Sequence, residues 1–139
     1  AATSSMTLFS YAVSAQYREL YKEPLLLTYL LGNFKINLSM ATKNTLSWLI
    51  HYAIGVLFVI VYYYFWAHNL LQLTFLHALL LGVVSGIAGI ISWMIFFKIS
   101  LYRPKIDYKG YYIQLFIAHI IFALTATAVY AISLSLVAL

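Results

Sequence analysis

Leu71–Phe97 reads LQLTFLHALLLGVVSGIAGIISWMIFF and contains no Asp, Glu, Lys or Arg. A helix of this length rises roughly 40 Å, which exceeds the hydrocarbon thickness of about 30 Å in a typical bilayer. Its apolar residues run continuously and do not alternate with polar ones, so the pattern favours a helix over a strand of a membrane barrel. The stretch is therefore predicted to be a transmembrane helix.

Three further apolar segments extend this interpretation to the whole chain. They are predicted to span the membrane at residues 2–16, 45–66 and 111–136. Only 8% of the 139 residues are charged, whereas a soluble domain has about a quarter of its residues charged. The predicted fold is an all-α integral membrane four-helix bundle, built as a single transmembrane domain over residues 1–139. Because the first span begins directly after Ala1, we expect further residues to precede it in the native protein.

A short helix is predicted between the first and second spans. Pro24 suits the first turn of a helix, and Gly32 suits its end. The segment Pro24–Leu31 is too short to cross a bilayer. It is therefore predicted to lie at the membrane interface or to re-enter the bundle, and both alternatives remain open. The residues Lys35–Asn44 are predicted to form a polar connector.

Positive charge predicts the orientation of the four spans. The eight Lys and Arg residues all fall in the first and third connections, and the second connection has none. Because Lys and Arg stay on the cytoplasmic side, both connections are predicted to be cytoplasmic, in a multi-pass protein of the cell inner membrane. The net charge of +5 favours contact with anionic lipid headgroups over nucleic acid. The residues predicted to contact headgroups are Lys98, Arg103, Lys105 and Lys109.

The few acidic residues limit the chemistry that the sequence predicts. Glu19, Glu23 and Asp107 are the only carboxylates, and all three fall in the connections. Proton-coupled carriers usually keep an acidic residue inside a span, so this placement argues against such a carrier. It also leaves no paired carboxylates for acid–base catalysis, and the chain has no cysteine. We therefore predict no catalytic site and no metal site, which favours a non-enzymatic protein.

Two histidines are the candidate cofactor ligands. His51 lies in the second span and His119 in the fourth, and counting residues places them within about 5 Å of the same depth. Histidines on two helices at one depth are typical of axial ligands of haem b, and they would equally suit a quinone. Alternatively, each histidine makes only an interhelical hydrogen bond. The sequence leaves the cofactor open.

Small residues recur on one face of the third span. The pattern contains a small-xxx-small pair, which lets two helix backbones approach closely. The predicted contact is packing within the bundle, and a homodimer face or a docking face on a larger complex is the alternative. The residues predicted to form this helix-packing face are Gly82, Ser85, Gly86 and Gly89.

The chain also resembles a family through scattered residues along most of its length. These residues are Met6-Thr7, Phe9-Ser10-Tyr11, Glu23-Pro24, Trp48, His51-Tyr52, Gly55, Phe58, Tyr62, Trp66, Gly82, Gly86 and His119. In this pattern the chain is similar to small bacterial four-helix inner-membrane proteins of unknown function. The resemblance implies the same fold and brings no activity with it. It marks Glu23, His51 and His119 as the first positions to test.

Three functional hypotheses follow from these observations. The first is a non-enzymatic small membrane protein that contacts membrane lipids, alone or as an accessory subunit of a larger membrane complex. The second is an electron-transfer protein that binds haem or a quinone through His51 and His119. The third is a small transporter or channel, whose pathway would use the few polar residues of the spans, Gln114, Thr125, Thr127 and the serines.

Overall fold

The computed structural model describes residues 1–33, 38–100 and 104–137. Within these ranges it has five helices and no strand, which confirms the predicted all-α class. The helices are α1 (Ala2–Tyr17), α2 (Glu23–Asn33), α3 (Met40–Ala67), α4 (Phe75–Ile99) and α5 (Tyr108–Val137). Lys35 and Arg103, which belong to the predicted connector and headgroup site, lie outside the described residues.

Three of these helices, α3, α4 and α5, are long and apolar enough to cross a membrane. No more than 22% of the residues in their most apolar stretches are buried against the rest of the chain. Large apolar faces therefore remain on the outside of the molecule, where water would be an unfavourable solvent. This surface supports the prediction of a helical membrane protein.

Side-chain caps move two helix starts away from their predicted positions. α4 begins at Phe75 rather than Leu71, because the hydroxyl of Thr74 accepts a hydrogen bond from a first-turn N–H. α3 begins at Met40, inside the predicted polar connector, because Ser39 caps it in the same way. Such caps satisfy N–H groups that have no partner within the helix, so the helix starts where the cap stands.

The closest helix contact joins α4 to α5 through the small residues of α4. A Cβ atom added at Gly82 would lie 2.7 Å from Ile120 Cα, and one added at Gly86 would lie 2.8 Å from Phe116 Cδ2. Both distances are shorter than real Cβ atoms show. Gly82 and Gly86 of the predicted helix-packing face thus lie against α5 of the same chain, whereas the Ser85 hydroxyl lies 2.8 Å from that of Tyr62 in α3.

Hydroxyl groups hold α1 between α3 and α5. Ser5 Oγ donates to Thr125 Oγ1 of α5 at 2.9 Å, and Ser4 Oγ lies 3.1 Å from the Tyr52 hydroxyl of α3. Hydrogen bonds between helices contribute about 0.6–2 kcal/mol each in a membrane. The polar face of α1 therefore faces the other helices.

The short helix α2 packs into the bundle through two buried leucines. Leu26 is 0% exposed and Leu30 is 2% exposed. At the end of α2, the side-chain amide of Asn33 donates to the carbonyl of Ser100 beyond α4. With 11 residues, α2 rises about 16 Å, which is too short to cross a bilayer.

The polar ends of the helices meet at one end of the molecule. The hydroxyl of Tyr21, which follows α1, donates to the carboxylate of Asp107 before α5 at 3.3 Å. This contact brings together the two connections that carry basic residues. The described basic residues near these helix ends are Arg18, Lys22, Lys43, Lys98, Lys105 and Lys109.

Candidate functional site

His51 lies on α3, and its side chain contacts α1. Its Nε2 atom lies 2.9 Å from the hydroxyl oxygen of Thr7. That hydroxyl in turn donates its hydrogen to the carbonyl of Thr3 at 2.7 Å. Trp48 packs edge-on against the imidazole, with ring centroids 6.2 Å apart. The ring of His51 is thereby held by one polar and one aromatic contact.

His119 is buried where α5 faces α4. Its Nδ1 atom lies 2.8 Å from the carbonyl of Leu115, one turn earlier on α5. The ring lies over Gly89, where an added Cβ atom would come within 2.6 Å of Cε1 of the imidazole. Phe58 of α3 contacts the other side, with ring centroids 5.8 Å apart. The absence of a side chain at Gly89 makes the room that the imidazole occupies.

The two histidines line the same cavity, which has a volume of about 140 Å³. Glu23 at the start of α2 lines it as well, together with the aromatic residues Phe58 and Phe122. The structure therefore brings together two residues predicted as cofactor ligands and a carboxylate predicted to lie in a polar connection. The described residues of the predicted headgroup site are exposed and do not line the cavity; they are Lys98, Lys105 and Lys109.

The cavity opens sideways between α3 and α4. Ile54 of α3 and Phe96 of α4 line it and are 42% and 41% exposed, so they form its mouth. Leu115 of α5 is fully buried and lies at its base. The cavity therefore borders the exposed apolar surface of α3 and α4.

The burial of Glu23 is the main feature that the sequence analysis did not predict. The side chain is 2% exposed. Its Oε1 atom accepts hydrogen bonds from Ser10 Oγ of α1 at 2.8 Å and from Gln114 Nε2 of α5 at 3.3 Å. Gln114 also donates to Ser10 Oγ at 2.5 Å. Ser10 and Gln114 both lie inside predicted spans, where polar side chains need hydrogen-bond partners. Their presence is the sequence signal that could have indicated a buried carboxylate between them.

Burial also changes the acidity of Glu23. Removal from water raises the pKa of its carboxyl group from 4.5 to about 7, although the hydrogen bonds from Ser10 and Gln114 lower it in part. Water stabilises a carboxylate more than a dry environment does, so burial favours the protonated form. Glu23 is therefore a group that exchanges a proton near neutral pH.

Comparison with known proteins finds no relative of this chain. No protein-family model, curated protein or solved structure matches the chain.

The size of the cavity discriminates between the two predicted cofactors. A dry cavity of about 150 Å³ in another protein holds one benzene molecule, so 140 Å³ is room for a single ring. A porphyrin has four pyrrole rings and does not fit. The residues present fit the headgroup of a quinone better than a haem.

Two buried tyrosines give a matched test of the hydrogen bonds around the site. The hydroxyl of Tyr62 lies 2.8 Å from Ser85 Oγ, whereas the buried hydroxyl of Tyr111 has no hydrogen-bond partner within the described part of the chain. We expect Tyr62→Phe to destabilise the protein by about 1 kcal/mol, and Tyr111→Phe to leave it unchanged or more stable, because an unpaired buried hydroxyl costs about 1–3 kcal/mol. Thermal unfolding in detergent measures the stability of both variants. Equal losses of stability would contradict the assignment of a hydrogen bond to the Tyr62 hydroxyl and of none to that of Tyr111.

Proposed function

We propose that the chain is a non-enzymatic, four-span membrane protein that binds the single-ring headgroup of a lipophilic quinone or a related ring compound. The observation that carries the proposal is that His51 and His119 line one ring-sized cavity with its mouth between α3 and α4. A ligand of this class dissolves in the bilayer and would enter from the side. Its ring would pack on the aromatic lining, and its oxygen atoms would reach the imidazoles.

In this proposal α1 also spans the membrane, in addition to α3, α4 and α5. Its 16 residues rise about 24 Å, and a span somewhat shorter than the hydrocarbon layer is accommodated by local thinning of the bilayer. α1 also carries the partners of the site, since Thr7 holds His51 and Ser10 holds Glu23. The basic ends of the helices would face the cytoplasm, and α2 would lie at that interface with its apolar side in the bundle.

Occlusion of the mouth tests the proposal. We expect purified protein in nanodiscs to bind a short-chain benzoquinone, in its oxidised or its reduced form, at one molecule per chain by isothermal titration calorimetry. Ile54→Trp should fill the mouth and weaken binding at least about tenfold, which corresponds to about 1.4 kcal/mol. Ile87→Trp is the matched control, because Ile87 is 50% exposed on α4 and does not line the cavity. Absence of binding by both forms, or equal weakening by both variants, would refute the proposal.

Proton-coupled transport is a second candidate, favoured by the position of Glu23. Glu23 lines the cavity, and its hydrogen-bond partner Gln114 lines a separate groove between α1 and α5 close to Asp107. A polar link thus connects the cavity with the charged end of the molecule. If the link conducts protons, Glu23→Gln should abolish proton uptake into proteoliposomes under a pH gradient, whereas Glu19→Gln should not. Unchanged uptake in Glu23→Gln would exclude this candidate.

A further inference from the structure

A contact within α5 determines which ring nitrogen of His119 carries the hydrogen. Nδ1 lies 2.8 Å from the carbonyl oxygen of Leu115. A carbonyl oxygen only accepts hydrogen bonds, so Nδ1 carries the hydrogen. An imidazolium buried among apolar groups would be costly, so the ring is neutral and has a single N–H. Nε2 of His119 is consequently a hydrogen-bond acceptor.

His51 is fixed in the complementary way by α1. The hydroxyl of Thr7 has one hydrogen, which it donates to the carbonyl of Thr3. Towards His51 that hydroxyl can therefore only accept, and the hydrogen on the 2.9 Å contact belongs to Nε2 of the imidazole. In the neutral ring, Nδ1 of His51 is then also an acceptor.

Each of the two histidines that line the cavity therefore has one acceptor nitrogen. In the described part of the chain neither Nδ1 of His51 nor Nε2 of His119 has a hydrogen-bond donor as a partner. Another polar group of the lining, Ser92, donates its own hydrogen to the carbonyl of Ala88 at 2.8 Å. A ligand that only accepts hydrogen bonds would leave both imidazole nitrogens unpaired, which is unfavourable in a dry site.

From this arrangement, and resting on the proposed function, we propose that the cavity selects the hydroxylated form of a ring compound, a phenol or a hydroquinone, over the corresponding quinone or methyl ether. A ring hydroxyl donates to the nitrogen of His51 or His119. Its oxygen can at the same time accept from the hydroxyl of Thr3 or the indole N–H of Trp93, which also line the cavity. A quinone oxygen can only accept.

The apolar mouth favours a neutral donor over a cationic one, although Glu23 also lines the cavity. Phe58, Phe122 and Leu115 supply most of the wall near His119, and the mouth at Ile54 and Phe96 is apolar. An ammonium ion would have to reach this mouth through hydrocarbon, at a high cost. A neutral hydroxylated ring has no such barrier.

Matched ring compounds test the selectivity without any mutation. We expect para-butylphenol to bind the wild-type protein in nanodiscs about tenfold more tightly than para-butylanisole, which has the same ring but no hydroxyl hydrogen. A short-chain benzoquinone should likewise bind more weakly than its hydroquinone, measured under anaerobic conditions. If the ether and the quinone bind as tightly as the hydroxylated probes, the selectivity is overturned and the proposed function stands. If none of the four probes binds, the proposed function itself fails.

Variants of the histidines assign the selectivity to its residues. His119→Phe or His51→Phe, whichever removes the nitrogen that the ring hydroxyl uses, should reduce the roughly tenfold preference for the phenol over the anisole to about one. His119→Gln retains an acceptor oxygen and should restore part of the preference. His68→Phe is the control, because His68 is exposed after α3 and does not line the cavity. Full phenol preference in both His119→Phe and His51→Phe would overturn the assignment to these nitrogens.

Discussion

Replacing Glu23 with glutamine is expected to remove a loss of stability that the wild-type protein undergoes as the pH rises from 4.5 to about 7. Burial raises the pKa of the folded carboxyl group, so the folded state holds its proton where the unfolded state has already lost it. The stabilising contribution is complete below pH 4.5, decreases through about pH 7 and is lost above that pH. The size of the change is on the order of 3 kcal/mol.

The measurement is thermal unfolding in detergent at a series of pH values on both sides of this interval. Wild type should show a falling melting temperature, whereas Glu23→Gln should be nearly flat and more stable than wild type at high pH. Glutamine retains an acceptor for Ser10, so the packing is preserved. Glu19→Gln removes the same charge from a partly exposed residue and should keep the wild-type profile. A Glu23→Gln profile as steep as that of wild type would show that the carboxylate is solvated.

The helices themselves were predictable because lipid imposes a simple pattern. A span must be a long apolar helix, and the predicted segments 45–66 and 111–136 lie inside α3 and α5. The ends were less predictable, because single side chains such as Thr74 decide them. The number of passes and their orientation stay predictions, since they depend on the membrane around the molecule.

The candidate site was predictable only in part. Counting residues along ideal helices placed His51 and His119 at one depth, and both line one cavity. Counting could not reveal that Gly89 leaves room for the imidazole of His119, because that depends on which faces of α4 and α5 meet. The burial of Glu23 was not predicted, because charged residues stand directly before it in the sequence, whereas its side chain is buried against Ser10 and Gln114.

Substitution of Gly82 is expected to separate α4 from α5. A Cβ atom at this position would lie 2.7 Å from Ile120 Cα and 3.3 Å from the carbonyl oxygen of His119. These are backbone atoms, so no side-chain rotation relieves the clash and one helix has to move. We expect Gly82→Ala to destabilise the protein by about 1–3 kcal/mol, and Gly82→Leu to destabilise it more. Because His119 lies on the displaced helix, ligand binding in the cavity should weaken as well.

Two matched glycine variants separate this contact from a general effect of alanine. Gly32→Ala in α2 meets no atom within 4 Å and should be neutral or stabilise the helix by up to about 1 kcal/mol. Gly86→Ala meets the ring of Phe116, which can rotate, so its effect should fall between the other two. Melting temperatures in detergent give the order, and size-exclusion chromatography reports the oligomeric state. If Gly82→Ala left stability unchanged and altered only the oligomeric state, Gly82 would belong to a homodimer face rather than to the contact with α5.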